Sequence, residues 1–289
     1  MNALKWYISK FPESLYPCSQ GNQEEYNKRV ILGRQKMHES TVVICGIARD
    51  VAKNLIATIA RIERLGKMFA DYRVVIYEND STDGTDKLFK EWESNNYKVK
   101  ILTEKLDAVK HEQDDSLARM TDLANYRNKY LDEIFSRNII PDYMIVADLD
   151  LPGGWSYEGI CNSFGYDHWS FMGSNGLLYG LIEGSEDEGM RRVYYDAHAF
   201  RRLGHPKPHT HEEINIITYN RGEPPFRVRS CFGGMGIYKS DVFKHEPRYA
   251  GPECEHVGLH NDLIDAGIDN IYMNPNQIIL YSNVHYTKI

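Results

Sequence analysis

DYMIVADLD, residues 142–150, joins an apolar run to a pair of acids. Its middle, Tyr143 to Ala147, is a short apolar run bounded by polar residues, which reads as a buried strand. Two acids close it, Asp148 and Asp150. In extended chain, residues i and i+2 face the same side. The two carboxylates can therefore converge on one hard divalent cation, Mn2+ or Mg2+, which prefers oxygen ligands and is commonly shared with substrate phosphates. Acids at a strand end also start turns or cap helices, and D-x-D alone is weak. Its place directly behind YMIVA sharpens it.

Working outward, TVVICGIA (41–48), RVVIYE (73–78) and YKVKIL (97–102) read as three further strands. Between them fall helical patterns. Asp50 is placed to cap a helix whose apolar stripe uses Val51, Leu55, Ile59, Ile62 and Phe69. A second helix is expected near residues 84–95 and a third over roughly 116–136. This alternation predicts an α/β fold with a mostly parallel central sheet and helices on both faces. Ligands of such sheets collect at the carboxyl ends of the strands. Here those ends read GIARD, ENDSTDGT and DLDLPGG, all polar and rich in acids.

The flanks are less regular. Residues 1–40 show no clear periodicity and read as an N-terminal arm laid over the main domain. EGSEDEGMRR (183–192) and the histidine-rich HPKPHTHEE (205–213) read as long loops, of the kind that form lids or binding segments. FRVRSCFGGMGIYKSDVF (226–243) suggests a strand, a glycine turn, a second strand and a helix start. IDNIYMNP and QIILYSNVHY (268–286) suggest two late strands.

Composition narrows the function. Of 289 residues 42% are hydrophobic and 26% charged, which excludes a disordered or fibrous chain. Acidic residues outnumber basic ones, 41 to 34, so the overall basic footprint of a nucleic-acid binder is missing. No apolar window is long enough for a transmembrane segment, and the N-terminal residues do not read as a secretory signal. Five cysteines without a C-x-x-C spacing fit reduced thiols and a cytoplasmic protein.

Several residues could carry chemistry. Glu78, in Glu78-Asn79-Asp80-Ser81, could accept hydrogen bonds from a nucleobase or ribose, or serve in a helix-starting turn. Arg127 falls on the apolar stripe Leu117, Met120, Ala124, Arg127, Leu131, Ile134, so its guanidinium points inward and needs a partner. That partner is either a buried acid such as Asp148 or a bound diphosphate. Cys254-Glu255-His256 with His260 invites zinc, but no second Cys/His pair has structural-zinc spacing. Glu255 could instead be a general base, and His285 a further ligand for the cation of the aspartates. His205, His209 and His211 read as solvated loop residues. Gly233-Gly234 gives a tight turn or close backbone approach to a ligand.

In their order these segments resemble a GT-A-type, nucleotide-sugar-dependent glycosyltransferase. YENDSTDGT is similar to the V-D-D-G-S-x-D-G-T segment of family 2 glycosyltransferases, with Asn79 and Asp80 in place of its D-G. ANYRN (124–128) followed by ADLD resembles that family's A-R-N … D-x-D. LANYRNKYL, YYDAHAFR (194–201), RSCFGGMGIYK (229–239) and CEHVGLHNDLIDAGIDNIYMNPNQIILY (254–281) resemble, in the same order, the fungal capsule-associated alpha-1,3-mannosyltransferase family. The resemblance implies a GT-A-like nucleotide-diphospho-sugar transferase fold over 41–289, with 41–150 the nucleotide-binding half and 151–289 the acceptor-binding half. It implies a UDP- or GDP-sugar donor, a glycan or glycoconjugate acceptor, and Mn2+ or Mg2+ held by Asp148, Asp150 and His285. Ala48, Arg49, Glu78, Asp80, Arg127, Asp148, Gly233 and Gly234 would then bind the donor, and Glu255 would be the base. A sugar nucleotidyltransferase would need a glycine-rich loop after the first strand, where GIARDVAKN has one glycine. A carbohydrate-binding protein on the same fold, without donor turnover, is the other alternative.

Overall fold

A computed structural model of the chain describes residues 8–111, 116–181, 190–210, 213–214 and 217–281. The first four strands, β1 (Thr41–Ala48), β2 (Asp71–Asn79), β3 (Val99–Glu104) and β4 (Tyr143–Ala147), lie in the order β3-β2-β1-β4, all parallel. Parallel pairing needs a crossover for each step. Helices α2 (Ala52–Gly66), α3 (Thr85–Asn95) and α4 (Leu117–Ser136) lie in those crossovers. Because β1 alternates, Val42 and Ile44 join one core under α2 and α3, while Val43 and Cys45 join another under α4.

Beyond β4 the sheet becomes mixed. β9 (Met235–Lys239) runs antiparallel to both β4 and β6 (Phe171–Leu181), and β6 lies parallel to β10 (Ile271–Leu280). Three shorter strands complete it. β5 (Gly154–Trp155) and β8 (Phe226–Arg227) pair with β10, and β7 (Met190–Tyr194) with β6. Helix α5 (Tyr157–Phe164) covers one face here and α6 (Glu255–Asp265) the other. Among the described residues, no helix is long and apolar enough to cross a membrane.

Several expectations are corrected. The N-terminal segment contains a helix, α1 (Gln23–His38), whose Tyr26, Val30, Gly33 and Met37 are buried at helical spacing. Exposed Ile31 and Leu32, and a glycine on the buried face, blur that period. Gly33 lies so close to the Cys161 carbonyl that any side chain there would collide with α5. Asp50 does not cap α2; it takes a left-handed backbone (φ 54°), and Asp83 accepts the Ala52 amide in its place at 2.9 Å. α2 ends at Gly66, so Phe69, though buried, lies past it. Leu117, first in the α4 stripe, is exposed.

The 226–243 segment is not a hairpin, since β8 and β9 pair with different strands. The two late strands are one, β10. Pro275 sits where the register against β6 shifts between Asn274 and Ile278, a place where no ladder donor is required. Of the loop expected at 183–192, Met190–Arg192 belong to β7 and residues 182–189 lie outside the described residues. The His209 side chain is largely shielded and stacks on His205 at 4.6 Å, whereas His211 lies outside the described residues.

Candidate active site

A cleft of about 320 Å³ opens at the carboxyl ends of β1, β2 and β4. One wall is built by turns that hold each other. The amides of Asp50, Val51 and Ala52 donate to Ser81 Oγ, Thr85 Oγ1 and Asp83 Oδ2 at 3.0, 2.8 and 2.9 Å. Asp50 Oδ1 in turn accepts the Thr82 amide at 2.8 Å. Asp80 accepts the amides of Leu106, Asp107 and Ala108 at 2.9 to 3.1 Å. Desolvation alone would raise the Asp80 carboxyl, but Asn79 and those three amides outweigh it and hold it at about 2. Arg49 donates to the carbonyls of Ala108 and Val109, and Lys110 pairs with Asp50. Residues 109–111 are thereby laid along the cleft.

The floor is acidic with a cation at its centre. β4 ends at Ala147, yet the alternation continues one step further. Leu149 is buried, while Asp148 and Asp150 both line the cleft. Burial pushes the Asp148 carboxyl up to about 7, with Asp150 and Asp196 adding to the rise against Arg127 and the Tyr281 hydroxyl. Tyr281 Oη donates to Asp148 Oδ2 at 3.0 Å. Asp150 is exposed to solvent but enclosed by the concave wall, and that desolvation raises its carboxyl too. Arg127 is buried and holds two acids. Its Nε donates to Glu255 Oε1 at 2.8 Å, and its Nη2 lies 3.5 Å from Asp148 Oδ1. Burial alone would lower the guanidinium's pKa, but Glu255, Tyr130 and Asp148 outweigh it and hold it well above its usual value.

Ala48, Arg49, Arg127, Asp148, Asp150 and Glu255 are thus brought into one cleft. Glu78, Asp80, Gly233 and Gly234 are not among its lining residues. Glu78 is buried with Oε1 accepting the Ser81 amide at 3.0 Å, and Asn79 reaches the cleft instead. Gly233 and Gly234 have positive φ and form a turn behind the floor. The Gly233 amide donates to Asp196 Oδ2 at 2.7 Å, and the Gly234 carbonyl accepts the Asp148 amide at 3.0 Å. His285 lies outside the described residues. His260 is satisfied by Ser230 Oγ and Tyr238 Oη, so it shares no ligand set with His256.

Reading by residue type misses Asp196 and Tyr281 as cleft residues, and groups His256 with His260, which does not line the cleft. Asp196 sits in YYDAHAFR and Tyr281 follows an apolar run, so only the fold brings them to Asp148. Among the described residues, no three His, Cys, Asp or Glu side chains form a metal-holding group. Asp148 and Asp150 do fit part of one. They are two oxygen donors on one side of the chain, each carrying a carboxyl raised by its surroundings, a cost that a divalent cation relieves.

Comparison with protein families and with curated proteins gives no match. Among solved structures, the chain is similar to GalNAc-T7 with UDP, GalNAc and Mn2+, at 12% identity and a TM-score of 0.48, over 84% of this chain and 44% of that one. It is also similar to the mannosyltransferase PcManGT from Pyrobaculum calidifontis in complex with GDP-Man and Mn2+. There the identity is 10% and the TM-score 0.48, over 90% of this chain and 66% of that one. A third is the 1–349 fragment of S. aureus TarS in complex with UDP-GlcNAc, at 12% identity and a TM-score of 0.42, over 84% and 56%. The chain therefore spans less than two thirds of each of these proteins.

Proposed function

We propose that the protein is a metal-dependent glycosyltransferase that moves a sugar from a UDP- or GDP-sugar to a hydroxyl of a glycan or glycoconjugate. The observation that carries this reading is the convergence of Asp148 and Asp150 with the buried Arg127–Glu255 pair in a cleft at the strands' carboxyl ends. The order of the segments that resemble GT-A enzymes supports it. Residues 41–289 would act as one unit, 41–150 holding the nucleotide and 151–289 the acceptor.

In this reading Asp148 and Asp150 hold Mn2+ or Mg2+, with His285 as a further ligand. The metal supplies Lewis-acid neutralisation of the charge on a departing diphosphate. Arg127 faces the same charge from a fixed position, which is where preorganised electrostatics acts best. Glu255 accepts the proton of the attacking hydroxyl through Oε2, which Arg127 does not engage and which the Cys254 thiol reaches only weakly, at 3.6 Å. In a retaining reaction Glu255 would bind the acceptor instead.

A sugar nucleotidyltransferase fits less well. It would wrap a triphosphate with the amides after the first strand, and the amides of Asp50, Val51 and Ala52 are already spent on Ser81, Thr85 and Asp83. The test is a thermal-shift panel of UDP-, GDP- and CMP-sugars, with and without Mn2+. Stabilisation that needs both the metal and one nucleotide is expected, about 2.7 kcal/mol at a hundred times Kd. Folded protein that responds to no donor would point to a carbohydrate-binding protein.

A further inference from the structure

Asp148 is held at three points, each by a different part of the chain. Its amide donates to the Gly234 carbonyl at 3.0 Å, and Oδ1 faces Arg127 Nη2 at 3.5 Å. Oδ2 accepts from the Tyr281 hydroxyl at 3.0 Å, the shorter of the two side-chain contacts. The tyrosine is itself fixed. The amides of Tyr195 and Tyr281 donate to the carbonyls of Gly176 and Leu177, neighbours in β6, each at 2.9 Å. The two rings stack with centroids 3.5 Å apart and planes 22° apart, and both line the cleft. A ring tied at its backbone and covered on one face has little freedom to swing its hydroxyl.

The Gly233-Gly234 turn serves the same hydroxyl. Gly234 has φ 87°, and a Cβ there would fall 2.5 Å from Tyr281 Oη. A side chain at this position would therefore push the hydroxyl off Asp148. Asp196 secures the turn by accepting the Gly233 amide at 2.7 Å, and is held in turn by the Ala199 amide at 3.0 Å. The turn thus fixes the Asp148 main chain and leaves room for the group that fixes its carboxylate. An ionised carboxylate has about four acceptor sites, so one hydroxyl on Oδ2 leaves others for a cation. Asp150, exposed at the cleft, is the freer of the two acids.

We propose that Tyr281 is a positioning residue of the metal site. Its hydroxyl, clamped by the Tyr195 ring and given room by Gly234, orients the Asp148 carboxylate for binding a divalent cation. This rests on the metal-dependent glycosyltransferase reading. A carboxylate with a fixed plane loses less freedom when it takes up a metal, which is why hydrogen bonds to metal-binding carboxylates contribute to metal affinity.

The test is calorimetric titration of whichever of UDP and GDP the wild type binds more tightly, over a series of Mn2+ concentrations. Tyr281→Phe keeps the ring and removes the hydroxyl. It should raise the Mn2+ concentration needed for half the binding by about tenfold. At saturating Mn2+ its nucleotide affinity should return to within about twofold of the wild type. Tyr195→Leu, which frees the ring and keeps the hydroxyl, should shift the Mn2+ requirement the same way by less. Because Tyr281 acts through Asp148, the double variant Tyr281→Phe/Asp148→Asn should bind no more weakly than Asp148→Asn alone, within about twofold. An Mn2+ requirement that neither single variant moves overturns the proposal. So does a loss of nucleotide affinity that saturating Mn2+ leaves in place, or one that adds in full to that of Asp148→Asn. In those cases the wild type still needs metal and the transferase reading stands. A wild type whose nucleotide binding ignores Mn2+ would end the metal-dependent reading and this proposal with it.

Discussion

β2 and β4 end in similar sequences, Glu78-Asn79-Asp80 and Asp148-Leu149-Asp150, and the fold puts them to different uses. At β2 the acids turn to the protein's own backbone, Asp80 with both oxygens and Glu78 with Oε1, while Glu78 Oε2 is buried without a partner among the described residues. Glu78 takes the Ser81 amide and Asp80 takes three amides of the next connection. At β4 a tyrosine hydroxyl and one distant guanidinium nitrogen reach Asp148, and Asp150 lies exposed at the cleft. A carboxylate surrounded by amides is neutralised in place and fastens a loop. One surrounded by other carboxylates keeps its charge demand for a ligand. What separates a structural acid from a binding acid here is the supply of nearby donors, since residue type and strand position are alike.

The sharpest way to break this contrast is Asp150→Ala. Metal-dependent nucleotide affinity should fall by about a hundredfold or more. Thermal stability should hardly change, because the side chain is exposed and fastens nothing. A titration of Mn2+ and nucleotide into the variant decides it, and an unchanged affinity would remove Asp150 from the metal site. Asp80→Ala should do the reverse. The melting temperature should drop by several degrees, and the amides of Leu106, Asp107 and Ala108 should exchange with solvent faster. Nucleotide affinity should change less than in Asp150→Ala. Exchange rates that stay put would show that those amides are held by something other than Asp80.

The smallest expected effect is a pH dependence. Burial, with Asp150 and Asp196 nearby, pushes the Asp148 carboxyl from its ordinary 3.8 up to about 7. A carboxyl raised on folding contributes stability that is complete below about pH 4 and is lost as pH rises through about 7. Metal-free Asp148→Asn should therefore melt at least about 2 °C above the wild type at pH 8, with the gap closing toward pH 4. A gap independent of pH would mean that the asparagine acts through packing instead.

Local pattern carried much of the fold. The strands of the parallel half were legible because each is a continuous apolar run, the mark of burial on both faces. α4 was legible from its 3-4 spacing, including the inward placement of Arg127. The mixed half was harder. β10 contains Pro275 and three buried polar residues: Asn274 and Asn276, which bond each other, Asn162, Ser163 and nearby backbone, and Gln277, which bonds Ser163 and Ser174. Such residues look like a loop when their partners are far away in sequence. α1 was hidden for a related reason, since its buried face includes a glycine whose role is closeness to another helix.

The amino-acid order by itself determined the strand–helix alternation, the acids at the strand ends and the inward-facing Arg127, because each depends on a period of two to four residues. That Asp80 fastens a loop while Asp150 faces the cleft follows from the packing of distant segments. The same holds for Asp196, Tyr281 and His256 reaching one site from three distant segments. A charged or polar side chain takes its role from the donors and acceptors around it, and those are supplied by residues tens to more than a hundred positions away.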